Sequence, residues 1–109
     1  MDDRLKAPLK LFVAELSTHL EFLRQNSSSF PEHEPAQESL RKKLESKFHL
    51  IKGSAGFFSL TEIVRLAGRG ERAIKDSKGN SSALRRFFDE ELTSIVEELG
   101  REFQRLTDE

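Results

Sequence analysis

A chain of 109 residues, 36% hydrophobic and 34% charged, has room for one domain around a single modest core. Its 18 Lys and Arg nearly cancel 19 Asp and Glu, leaving a net charge of -1, so the basic surplus of a nucleic-acid surface is missing. Cysteine is absent, which removes thiol and disulfide chemistry and fits a reducing compartment.

Leu5, Leu9, Phe12, Leu16, Leu20 and Leu23 recur at steps of three and four, the period of a helix that buries one stripe. They predict a first helix over residues 4–25, with Pro8 in its opening turns and Asp2 or Asp3 as its cap. His19 falls at the edge of the stripe, a boundary histidine packed against the core. Asn26-Ser27-Ser28-Ser29, Phe30-Pro31 and Glu34-Pro35 then break the period with turn formers and prolines, and make the longest loop. In it His33 is expected in solvent, and Phe30 is expected to anchor the loop on the helices.

Pro35 opens a second predicted helix that runs to about Phe57. Its stripe is Leu40, Leu44, Phe48, Ile51, Ala55 and Phe58. At 100° per residue those side chains cluster within roughly 80° of one another, and His49 projects roughly 145° from their centre, so it faces solvent. On the outer face around it fall Lys42, Glu45, Lys52, Gly53 and Gly56. Each glycine inside a helix costs about 0.5–1 kcal/mol relative to alanine. Two of them beside one imidazole imply that something must approach the backbone there.

Ser59-Leu60-Thr61-Glu62 reads as a capping box that starts a third helix at once. Leu60, Ile63, Val64, Ala67 and Ile74 form its stripe, and Ser77-Lys78-Gly79-Asn80 is a glycine-type stop. Glu71 lies inside that stripe, where an acid is unexpected without a partner. If the second and third helices fold back about residue 60, His49 and Glu71 each stand about 16 Å along from the turn, and so stand level. Two readings of Glu71 remain open. Its carboxylate accepts the Nδ1 proton of His49 and leaves Nε2 free to attack, or it forms an ordinary surface ion pair with Lys75 or Lys52. Arg65, Arg69 and Arg72 lie on the outer face of this helix, a solvated face that would also flank the His49 patch.

The fourth helix starts at Ser81 or Ser82 and buries Leu84, Phe88, Leu92, Ile95, Leu99, Phe103 and Leu106, with Phe87 near the rim. No strand or internal repeat is visible. Short connections among the last three helices imply antiparallel neighbours, and hence an all-α, antiparallel up-down four-helix bundle, one domain over residues 1–109. A monomer is expected, because every apolar stripe is used in one core.

His49, Ile51, Lys52, Gly53, Ser54, Ala55 and Gly56 resemble the signature of histidine phosphotransfer (HPt) domains, in which His-x-Leu/Ile-Lys-Gly-Ser/Ala-Ala is followed by a glycine. The resemblance implies a four-helix bundle that carries a phosphoryl group on its histidine between receiver-domain aspartates, or from a histidine kinase, in a two-component phosphorelay. It implies no ATP site and no cofactor in this chain; Mg²⁺ would belong to the receiver. Family members often carry Glu or Gln at the spacing of Glu71, and commonly a glycine where Ser59 stands here.

Phosphoryl transfer needs a lone pair in line and a cation for charge spread over the phosphoryl oxygens. Lys52, one turn from His49, is placed to supply the cation. Gly53 and Gly56 would let a receiver's aspartyl phosphate come close, with Glu45, Lys42, Arg69 and Arg72 at the rim of the docking surface. His19, His33 and His49 lack the paired spacing of metal ligands, so no metal site is expected. The longest wholly apolar run, Leu11-Phe12-Val13-Ala14, is too short to span a bilayer, and the charged start Met1-Asp2-Asp3-Arg4 lacks the apolar stretch of a secretory signal; a cytoplasmic location follows. An alternative function is a helical adaptor that binds a receiver or kinase without carrying phosphate. His49 retained with Lys52 beside it favours the carrier.

Overall fold

A computed structural model describes residues 3–108, and every regular element in it is helical. A short 3₁₀ turn (Asp3–Leu5) leads into α1 (Lys6–Asn26), followed by α2 (Glu34–Phe57) and α3 (Thr61–Asp76). The last stretch is α4 (Ser81–Phe87), a π-helical turn (Phe88–Leu92) and α5 (Thr93–Thr107), joined without a break. The shape is elongated, 48 × 20 × 19 Å.

The apolar stripes meet along the long axis. Leu16, Leu20 and Leu23 of α1, Leu44, Phe48 and Ile51 of α2, Leu66 and Ile74 of α3, and Leu92, Ile95 and Leu99 are all fully buried. Residue numbers along α2 fall as those along α1 rise. Phe12 meets Phe58 with ring centroids 5.6 Å apart, while Lys47 sits 5.0 Å over the Phe22 ring. Ser81 Oγ donates to Gln37 Oε1 at 2.6 Å, and Arg69 reaches Glu91 at 3.4 Å.

The turn between α2 and α3 departs from the predicted capping box. Ser59 takes the left-handed conformation (φ 57°) and closes α2 instead of opening α3. Its amide donates to Gly56 O at 3.1 Å and the Leu60 amide to Ala55 O at 3.0 Å, so two of the carbonyls left over at the helix end are satisfied by a Schellman turn. Leu60 is the residue that precedes α3, and it offers no side-chain cap. A serine in this backbone region costs about 1 kcal/mol, a cost a glycine would avoid.

Other expectations also change. Leu5, not Asp3, precedes α1 and no side chain caps it; Asp2 lies outside the described residues. Phe87 is buried rather than at the rim, as are Leu66 and Val96, which the predicted stripes omit. A π turn takes more residues than an α turn, and over Phe88–Leu92 it accommodates Phe87 and Phe88 side by side in the core. Phe103 and Leu106 are only half-buried against that core. Phe30 does anchor the long loop: its ring lies 5.3 Å edge-on to Phe88, with the Arg85 guanidinium 5.1 Å over it. Gly79 (φ 73°) reverses the chain after α3, and Asn80 Oδ1 accepts the Ala83 N–H at 3.0 Å to cap α4.

Candidate functional site

The site grows out of the approach of α2 to α3. Phe48 is fully buried, and its ring lies against Gly70, where an added Cβ would stand 2.8 Å from ring carbons. The residues that follow these two in sequence are His49 and Glu71. His49 Nδ1 lies 2.6 Å from Glu71 Oε2, and Lys52 Nζ donates to Glu71 Oε1. Lys75 Nζ is 3.8 Å from the same Oε2. Both readings of Glu71 meet here: it reaches Nδ1 of His49 and pairs with Lys52 and Lys75, but in a buried position rather than at the surface. The carboxylate is buried, with a side chain 4% exposed, and it holds His49 and both lysines at once.

The imidazole is 68% exposed, so it is tied at one nitrogen and open at the rest of the ring. Lys52 foremost, and then His49, hold the Glu71 carboxyl below its ordinary range against the opposing effect of burial. An ionised carboxylate can only accept, so Nδ1 is the nitrogen that donates to Glu71 and Nε2 is the one left free of it. The arrangement presents an oriented ring nitrogen open to solvent, with an ammonium one turn away.

Two open hollows adjoin Glu71. One is bordered by Lys42, Glu45, Ser46, His49 and Lys75. Here Glu45 is tied to Arg41 at 2.9 Å, while Lys42 is exposed. The other is bordered by Lys52, Arg65, Arg69, Arg72 and Lys75, with Gly68 in its floor. Arg65 pairs with Glu62 and Arg69 with Glu91, whereas Arg72 has no ion pair among the described residues. A Cβ at Gly53 would meet nothing within 4 Å, and one at Gly56 only Val64 Cγ2 at 4.0 Å. Packing within the chain does not require either glycine.

Three features of this region lie outside the stripes and the signature read from the sequence. Leu50 (47% exposed) and Phe57 (67%) are large apolar side chains left in solvent on the face that also carries Gly53. Their spacing of seven, off the buried stripe, was the available signal. Gly70 and its contact with Phe48 were not singled out, although a second pair of helix-interior glycines, Gly68 and Gly70, precedes Glu71 directly. Arg41 is buried with three hydrogen bonds to Glu38 and Glu45, a cluster that i,i+3 and i,i+4 spacing announces.

The other histidines stay apart. His33 is exposed at the start of α2, and His19 is half-buried on α1 with its Nδ1 unpartnered. Among the described residues no three His, Cys, Asp or Glu side chains gather as metal ligands, and no helix is long and apolar enough to cross a membrane. A family model described as Hpt domain matches residues 9–107, nearly the whole chain. No curated protein and no solved structure matches it.

Proposed function

Because this chain belongs to the Hpt domain family, we propose that it carries a phosphoryl group on Nε2 of His49 in a two-component phosphorelay, accepting it from a receiver aspartate or a histidine kinase and passing it to another receiver. The observation that supports this reading best is the bond from Nδ1 of the exposed His49 to the buried Glu71, at 2.6 Å.

In the transfer step the Nε2 lone pair attacks phosphorus, a nitrogen–phosphorus bond forms, and the bond from phosphorus to the aspartyl oxygen breaks, returning the carboxylate to the receiver. No proton has to move. The ring gains positive charge as the bond forms, and the Glu71 carboxylate, already at Nδ1–H, balances it without reorganisation. Lys52 sits on the other oxygen of that carboxylate, and its ammonium is the cation assigned to the phosphoryl oxygens. Donation to the next receiver runs the same step backwards.

Gly53 and Gly56 leave the backbone bare beside the ring, so a partner can bring its phosphoaspartate in. Leu50 and Phe57 offer that partner apolar contact, while Lys42, Glu45, Arg69 and Arg72 offer charged contact at the rim. Mg²⁺ in such a reaction belongs to the receiver, and ATP to a kinase; the chain itself acts as carrier rather than enzyme. We read the opposed helix contacts as an up-down four-helix bundle that works as a monomer, on the cytoplasmic side where receivers and ATP are found.

Incubation with a labelled phospho-receiver, or with an active histidine kinase and labelled ATP, tests the reading. Acid-labile label is expected on the wild type and none on His49→Gln. Stable binding of the partner with no label on the wild type would show an adaptor instead.

A further inference from the structure

We propose that Gly70 is a positioning residue for His49: by admitting the Phe48 ring between α2 and α3, it sets the approach at which Glu71 reaches Nδ1. The part of this proposal that concerns rate rests on the carrier reading above; the part that concerns ring orientation does not.

Three observations carry it. First, an added Cβ at Gly70 would stand 2.8 Å from Phe48 Cε1, 2.8 Å from Cζ and 2.9 Å from Cδ1, closer than carbon atoms pack. The ring is fully buried and protein cores are close-packed, so it resists displacement, and parting of the helices is the relief the proposal assigns. Secondly, Gly70 lies inside α3 and is not among the residues with positive φ, so backbone freedom does not call for a glycine there. Space does. Thirdly, each member of the contact directly precedes a member of the site. At 2.6 Å the His49–Glu71 bond tolerates little separation, and a shift of about 1 Å takes it past the range of a hydrogen bond.

Gly68 supplies the control. A Cβ there would meet only Lys52 Cδ, at 3.5 Å, an ordinary contact. The same methyl group, two residues away on the same helix, is thus expected to fit.

The test reads the tautomer of His49 by ¹⁵N NMR in the unphosphorylated protein, followed by the rate of phosphotransfer. The wild type and Gly68→Ala should both show Nδ1–H. Gly70→Ala should lose that preference and slow transfer by about 10- to 100-fold, the range found when a partner that orients a metal-ligating histidine is removed. In a Glu71→Ala background the Gly70→Ala substitution should cost almost nothing more, because Gly70 acts through Glu71. Thermal melts identify a variant that merely fails to fold. In that event Phe48→Leu combined with Gly70→Ala gives the methyl room, and Nδ1–H with wild-type transfer is expected.

Three results would each overturn the proposal: a folded Gly70→Ala protein with the wild-type tautomer, equal slowing by Gly70→Ala with and without Glu71, or a folded double variant lacking Nδ1–H. The tautomer is read with no phosphodonor present, so failure of transfer in the wild type would defeat the carrier reading alone.

Discussion

Helix α2 takes part in two buried ion clusters of opposite sign. Near its start Arg41 is buried and surrounded by acid, its Nε and Nη2 on Glu38 and its Nη1 on Glu45, all within one helix. Further along, Glu71 reaches in from α3, buried and surrounded by base, with His49, Lys52 and Lys75 about it. A buried charge has to be paired in either case, so burial and pairing do not distinguish a structural cluster from a functional one. What differs is the remainder. The acids around Arg41 hold no further group, and Glu45 only borders the hollow beside His49, whereas one partner of Glu71 is an exposed ring with its second nitrogen open to solvent.

If that difference is real, breaking each cluster should damage a different property. Glu71→Ala should slow phosphotransfer about 10- to 100-fold without abolishing it, measured as the initial rate of label transfer; an unchanged rate would make the two clusters equivalent. Arg41→Ala should do the reverse. It should cost about 1–3 kcal/mol of stability in urea unfolding, yet leave transfer by the folded protein intact. A loss of transfer like that of Glu71→Ala would erase the contrast.

Gly53→Ala sharpens the comparison on the surface side. Nothing in the chain occupies the space of its Cβ, so the substitution should raise stability by about 0.5–1 kcal/mol and still slow transfer with a receiver. Stabilisation with no loss of transfer would show that no partner needs the bare backbone. His19 gives the smallest effect. Burial first, and then the nearby Lys47, lower its pKa from 6.5, against the opposing pull of Glu15. Its folded value lies below its unfolded one, so stability is complete above pH 6.5 and declines as pH falls from there through the folded value. His19→Leu should flatten that part of the stability profile and leave phosphotransfer untouched.

Period and spacing made much of this legible in the sequence. Stripes of leucine and phenylalanine give the helices, and the phase of α2 turns His49 outward because a stripe defines its own opposite face. Counting along two helices from a common turn puts Glu71 level with His49. That count could not decide whether the carboxylate faces the ring or the solvent, because the answer depends on how closely α2 and α3 approach, and the Phe48–Gly70 contact sets that distance. Ser59 misled for a related reason: a serine followed three residues on by an acid is a helix start by local chemistry, and only the closing bonds of α2 make it a helix end. Phe87 escaped because its burial goes with a π turn, which shifts the phase that a stripe assumes constant.

The central claim is that His49 is phosphorylated at Nε2 because Glu71 occupies Nδ1. Phosphorus and nitrogen NMR of the phosphorylated wild-type protein reads the bond directly. A single phosphoramidate at Nε2 of His49 is the predicted result; phosphorus on Nδ1, or on any other residue, would contradict it.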